Sequence, residues 1–261
     1  MMRTATGIAV VTGAGSGIGR AVAVELSSRS ITVIAVGRRE DALRETAKLA
    51  QGRVCVVSAD VGDPSEYRKI LSEIDREGGK VRYVVHAAGV SIIEPLRRIT
   101  PESWRRAMAT NLDGRLFLTL HLLPRLEKGS RILFVGSNSA TRPRKSSTSY
   151  CVSKAGSYML QECLKMELSG EGILVTSAIP SPVHTALLED QMAADPEVFP
   201  DALEYRREQR EGRLISPWTV GRFYRWLLTE VPDDEYSARQ WNIQDNSHHR
   251  FWLGNDDLFR P

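Results

Sequence analysis

"TGAGSGIGR", Thr12 to Arg20, follows directly on the apolar run "GIAVVTG" at 7–13, and its reading decides the fold. A short β-branched run that passes into a glycine-rich turn and then a helical pattern opens a strand–turn–helix unit. Glycines at 13, 15, 17 and 19 let a backbone approach a pyrophosphate closely. The helix that follows offers unpaired N–H groups and the positive end of its dipole. A glycine-rich turn with no ligand is the alternative, and its place after the first strand of an α/β chain argues against it.

Outward from this turn the rhythm repeats. "ITVIAVG" (31–37), "RVCVVSAD" (53–60), "VRYVVHAAG" (81–89), "RILFVGS" (131–137) and "ILVTSAIP" (173–180) are further strands. Helical patterns separate them: 17–29, 40–50, a long one near 102–127, and one through Tyr150 to about Ser169. Near-continuous apolar runs mean strands buried on both faces, and β-helix-β alternation means parallel strands with right-handed crossovers. The expectation is one Rossmann-type, doubly wound parallel sheet of about seven strands, filling 1–261 as a single domain. The one long break is 181–215, rich in charge and holding several prolines. An insertion of that length in a compact domain is a functional flap or a partly disordered segment.

Composition narrows the function classes. At 42% hydrophobic and 26% charged, the chain is an ordinary globular protein. A net charge of +3 does not suit nucleic acid, and no aromatic-interleaved basic stripe accompanies it; small molecules are the expected partners. The three cysteines, Cys55, Cys151 and Cys163, have no metal or disulfide spacing, which suits a reducing compartment. The start has no long apolar h-region and no stretch reaches the about 20 apolar residues of a membrane span, so a cytoplasmic location is expected. His248 and His249 are adjacent but lack further ligands at metal spacing, and no metal is expected.

The loop keeps Gly13, Gly17 and Gly19 in the pattern T-G-x-x-x-G-x-G and not in G-x-G-x-x-G. That spacing resembles the classical short-chain dehydrogenases/reductases, with Ser16 and Ile18 as further cofactor-binding positions of the loop. At the end of the second strand, where an NAD enzyme carries an acid for the ribose 2′-OH, this chain has Gly37, Arg38 and Arg39. Guanidinium groups there suit a 2′-phosphate, so NADP(H) is favoured over NAD(H). The resemblance extends along the chain. Asp60 and Val61 match the pair that lies along the adenine, and Ala88 and Gly89 close "HAAG" where the family more often has N-N-A-G. His86, in place of the first Asn, reads as a satisfied core residue. "SARQWNIQD" (237–245) looks like the last strand of the family. After the sixth strand, Pro180, Val183 and Thr185 match the P-G-x-V-x-T segment against the nicotinamide carboxamide, with Ser181 replacing its glycine.

The catalytic set follows from the same resemblance. Tyr150 and Lys154 are i,i+4 neighbours on one helix. Ser137 precedes the tyrosine at the family's spacing, with Ser139 as the second candidate. Asn111, in "TNLDG", matches a position where the helix is distorted around a water used for proton relay; an exposed asparagine is the plainer reading. Lowering a tyrosine pKa of about 10 by two units takes about 2.7 kcal/mol. An ammonium about 5 Å away, at an effective dielectric of ~20, supplies about 3 kcal/mol. The implied chemistry is hydride transfer between a nicotinamide and a carbonyl or secondary alcohol. Ser137 would bond the oxygen, Tyr150 would protonate it, Lys154 would hold the ribose and lower the tyrosine pKa, and Asn111 would complete a water path. Two other readings stand beside this one. One is a nucleotide-binding sensor or scaffold. The other is a ketoreductase for anionic, carrier-bound or phosphorylated substrates, prompted by "RPRK" (142–145), which a solvated loop explains more simply. The family also implies a homodimer or homotetramer. The tail at 246–261, with Phe251, Trp252 and Phe259, is expected to dock on the body or on a partner subunit.

Overall fold

The computed structural model describes residues 7–259. Residues 1–6, where no signal segment is expected, and the tail's last two residues lie outside them. Seven parallel strands form one sheet in the order β3-β2-β1-β4-β5-β6-β7. They are β1 (Ile8–Thr12), β2 (Thr32–Gly37), β3 (Val54–Ser58), β4 (Val81–His86), β5 (Arg131–Val135), β6 (Leu174–Ile179) and β7 (Trp241–Asn242). The helices that matter are α1 (Gly17–Ser27), α2 (Glu40–Leu49), α3 (Tyr67–Arg76), α4 (Pro101–Met108), α5 (Gly114–Leu122), α6 (Thr148–Leu168), α7 (Ala186–Ala193), α8 (Asp201–Arg210) and α9 (Pro217–Thr229).

Strand alternation sorts the core into two layers. In β1, Ala9 and Val11 face one buried cluster with α1 and α9, while Ile8 and Val10 face the other with α3 and α5. Both faces are covered, so the strands are largely apolar, with polar residues such as Arg82, His86, Arg131, Thr176 and Ser177 as exceptions. The strand order reverses at β1, which places a crevice between β1 and β4 at their carboxyl ends.

Three elements differ from the sequence expectation. The helix expected at 102–127 is interrupted by a π turn at Ala109–Asp113. At its centre Asn111 is fully buried, and its side-chain amide takes both backbone groups of Val90: Oδ1 accepts from the N–H and Nδ2 donates to the C=O, each at 2.9 Å. An asparagine that engages backbone elsewhere weakens its own helix, and a π turn is the local result. The last strand is only two residues long.

The third difference is the flap. Residues 181–215, expected as a functional flap or a partly disordered segment, hold α7 and α8, packed through Leu188, Met192, Phe199, Ala202 and Tyr205. Its two ends are stitched together, with His184 N–H donating to Ile215 O and Ile215 N–H to Pro182 O, both at 3.0 Å. α7 is only eight residues long and α8 is charged along most of its ten, so neither shows a sustained apolar period in sequence. The tail docks on the body: His248 and Trp252 are buried among Phe223, Trp226 and Trp241, and Phe259 packs partly against the same cluster. Phe251 alone of these aromatics stays exposed, stacked on Trp226.

Candidate active site

The crevice is sewn together by a residue the sequence reading overlooked. Thr12 Oγ1 donates to Val85 O at 3.3 Å and accepts from the N–H groups of Ala87 and Ala88, each at 3.1 Å. This brings the Gly loop against the end of β4 so closely that no side chain fits between. A Cβ on Gly13 would sit 2.8 Å from Ala88 N, and one on Gly19 2.3 Å from Gly13 O. Ser16 is the N-cap of α1 but makes no side-chain capping bond. The first-turn N–H groups are therefore not served by a cap, which is the arrangement a diphosphate requires.

Beyond the loop, Arg38, Arg39, Asp60 and Val61 line a groove of about 150 Å³ together with Gly13, Ser16, Ala88 and Gly89. Arg38 is well exposed and lies 4.0 Å from the Asp60 carboxylate, a loose pairing in solvent. Asp60 also forms the turn at its own position, accepting from Gly62 N–H at 2.8 Å. Both guanidinium groups thus stand at the rim of a groove that leads to the helix N-terminus.

An adjoining cleft of about 270 Å³ holds the remaining candidates other than Asn111. Gly17, Ile18, Ser137, Tyr150, Lys154, Pro180, Val183 and Thr185 line it, with Leu188, Gln191 and Tyr205 added by the flap. Ser137 caps a short 3₁₀ turn by accepting from Ser139 N–H at 3.1 Å, which leaves its own proton free to donate. Ser139 accepts from Arg144 Nε at 3.0 Å. Ser137, and not Ser139, bonds the Tyr150 hydroxyl and pulls its pKa down.

The electrostatics of this cleft depart from the expectation. Burial raises the Tyr150 pKa overall, against the opposing pull of Ser137 and the positive charges of Arg115 and Arg144. Lys154 Nζ donates to Val135 O at 3.1 Å and stands 5.7 Å from the Tyr150 ring centroid. Burial, and then the charge of Arg115, pushes its pKa well below the ordinary lysine value. The positive charges that oppose the rise at Tyr150 are those of Arg115 and Arg144.

Asn111 does not line the cleft. It lies behind it, donating also to Ser153 Oγ at 2.9 Å, and Ser153 in turn donates to Tyr150 O at 2.9 Å. The π turn and α6 are thereby tied together, and the exposed-asparagine reading falls away. His86 is a satisfied core residue: its Nε2 bonds Thr119 Oγ1 at 2.9 Å, and burial drives its pKa down to about 3. His248 uses both ring nitrogens, bonding Asn242 O at 3.0 Å and accepting from Trp252 Nε1 at 2.9 Å.

"RPRK" is exposed at Arg142, Pro143 and Lys145, as a solvated loop would be, but it is not a free cationic patch. Arg144 pairs with Asp201, Arg142 lies 3.8 Å from Glu204, and Lys145 donates to Glu197 O at 2.6 Å. All three partners belong to the flap. A match between this basic run and the acids at 201 and 204 was the available signal, but it needed the fold to bring them together.

Comparison with known proteins bears on the family and the fold. The family described as short chain dehydrogenase matches residues 7–196. An uncharacterized oxidoreductase of Staphylococcus aureus is 31% identical over 221 residues, covering 82% of this chain and 96% of that protein. One from Staphylococcus epidermidis is 35% identical over 184 residues, covering 70% and 80%. Among solved structures, the KRED1-Pglu enzyme superposes with a TM-score of 0.80 at 28% identity, covering 87% of this chain and 97% of that one. L-Sorbose reductase from Gluconobacter frateurii, complexed with NADPH and L-sorbose, shares the fold with a TM-score of 0.80 at 22% identity, over 92% and 96%. With the family match spanning most of the chain and a relative 31% identical over 82% of it, this seven-stranded Rossmann-type chain belongs to the short-chain dehydrogenase/reductase family of oxidoreductases, which bind a nicotinamide cofactor.

Proposed function

We propose that this chain is an NADP(H)-dependent oxidoreductase that interconverts a small carbonyl compound and its secondary alcohol, with Tyr150 as acid and base. The observation that carries the reading is the meeting of Tyr150, Ser137 and Lys154 in one cleft that opens onto the Gly loop. Gly13, Gly17, Gly19 and the first turn of α1 would hold the diphosphate, Arg38 and Arg39 a 2′-phosphate, and Asp60 and Val61 the adenine end. Pro180, Val183 and Thr185 would face the nicotinamide, which supplies or accepts the hydride. Ser137 donates to the substrate oxygen, and Tyr150 exchanges its proton with that oxygen. Lys154 lies where it can bond ribose hydroxyls, and Asn111 fixes the π turn behind it as the start of a proton path.

The basic loop bears on substrate charge. Arg144 lines the cleft but is already bonded to Asp201 and Ser139, so neutral carbonyl compounds suit it better than anionic or carrier-bound ones. A sensor or scaffold role is the weaker reading, because all four residues of the catalytic set are present. Exposed Phe117 and Leu120 on α5 and Met159 and Met166 on α6 support a homodimer or homotetramer built on these helices. The three free cysteines support a cytoplasmic setting. No helix among the described residues is long and apolar enough to cross a membrane.

The test is consumption of NADPH against NADH with a panel of neutral ketones, aldehydes and quinones, repeated on Tyr150→Phe. Removing the acid should lower turnover about 10²–10⁴-fold with NADPH binding intact. Undiminished turnover in that variant overturns the mechanism, and preference for NADH overturns the cofactor assignment.

A further inference from the structure

Two buried cations meet at one carbonyl oxygen. Val135 O, at the end of β5, accepts from Lys154 Nζ at 3.1 Å and from Arg115 Nη1 at 3.3 Å. Lys154 is 6% exposed and Arg115 3%. Arg115 comes from the first turn of α5, reaching across the sheet ends to donate also to Ser157 Oγ at 2.9 Å and Ala88 O at 3.4 Å. It thus ties the residues just past β4 to the end of β5 and to α6, where His86 and Ala87 have replaced two asparagines of the usual N-N-A-G.

Among the described residues, no carboxylate lies within ion-pair distance of either group. The titratable groups that face Arg115 are His86 from β4, Tyr150 and Lys154 from α6, and Tyr224 from α9. Arg144, from the loop before α6, adds a further positive charge toward Tyr150. Two like charges on one buried carbonyl oxygen, without a counterion, oppose one another, and the less basic group gives way first. Guanidinium is the group that stays charged. Burial lowers even its pKa only to about 10, and the lysine yields first.

We propose that Arg115 is a positioning residue of the acid–base centre: as its standing cation, sharing Val135 O, it keeps Lys154 a neutral amine until negative charge enters the cleft. Lys154 is then a proton acceptor poised beside Tyr150, and binding of an anionic nucleotide is coupled to proton uptake at Nζ. This deepens the acid–base reading of Tyr150 and Lys154 and rests on it, yet its test needs no turnover. A chain that fails to reduce any carbonyl would sink that reading and leave the titration below standing.

The experiment is a ¹³C NMR titration of protein carrying lysine labelled at Cε, without added nucleotide, with the Lys154 signal assigned by its loss in Lys154→Arg. The signal should titrate about two pH units or more below the other lysines. Arg115→Gln keeps amide donors for the same carbonyls but removes the charge, and should move it upward by about one unit or more. If Arg115→Gln does not fold, the wild-type titration decides alone. Lys154 titrating with the other lysines, or remaining unmoved in folded Arg115→Gln, overturns the proposal.

Discussion

The Arg144 guanidinium is buried against the Asp201 carboxylate, and that pair joins the loop ahead of Tyr150 to α8 of the flap. Their side chains are 9% and 18% exposed. Arg144 also bonds Ser139 and lies 5.5 Å from the centroid of the Tyr205 ring. The flap is thus held over the cleft by charge as well as by its small apolar cluster.

Removing one partner of such a pair strands the other. Asp201→Ala leaves Arg144 charged in a buried site, a loss of about 3–5 kcal/mol where the pair is fully buried and somewhat less here. The loss should fall on flap docking and not on the sheet. Hydrogen exchange of residues 186–210 should rise while β1, β4 and β5 stay protected, and KM for a neutral ketone should rise more than kcat falls. Unchanged exchange in the flap would show that the apolar cluster holds it alone.

Arg38 offers a separate check on the cofactor. Its contact to Asp60 at 4.0 Å is loose and solvated, so little is lost by breaking it. A charge-assisted bond to a 2′-phosphate contributes about 1.5–3 kcal/mol. Arg38→Ala should therefore raise the KM for NADPH by about 10- to 100-fold and leave that for NADH nearly unchanged. Equal changes for both nucleotides would remove Arg38 from 2′-phosphate recognition.

How much of this was legible in the chain itself depends on whether the signal was local. The strands could be read because both sheet faces are covered, which makes each run largely apolar. Tyr150, Ser137, Lys154 and the glycines could be read because the family motif fixes their spacing. The roles of Arg115 and Arg144, and the bonds of Thr12 within its motif, could not, since each acts through groups brought near only by folding. Arg115 meets Lys154 at Val135 O, a junction that no sequence window contains. The helical flap was hidden for a related reason: α8 is charged along most of its length, and only Ala202 and Tyr205 are buried.

Ser181 stands where the family motif has glycine, and its backbone keeps the glycine conformation with φ of 64°. A non-glycine residue in that region loses about 1–2 kcal/mol. Glycine would recover this, less about 0.4–1 kcal/mol for the greater freedom of its unfolded chain. Ser181→Gly should stabilise the protein by about 0.5–1 kcal/mol and raise Tm by about 1–3 °C. A lower Tm would mean that the serine side chain contributes a bond worth more than the strain.

His86 sets a pH dependence whose sign can be worked out. Burial lowers its folded-state pKa to about 3, against about 6.5 in the unfolded chain. The unfolded state therefore binds the proton first, so the stability contributed by the neutral ring is complete above pH 6.5 and is lost as pH falls toward 3. The slope is about 1.4 kcal/mol per pH unit, or about 2 kcal/mol between pH 6.5 and 5, a window above most carboxylate titrations. His86→Asn removes the titrating group and offers Thr119 an amide in place of the ring. Denaturant melts at pH 7 and pH 5 should show wild type losing about 2 kcal/mol more than this variant. An equal loss in both would mean that His86 stays neutral in the unfolded chain over this range, or carries its proton in the fold.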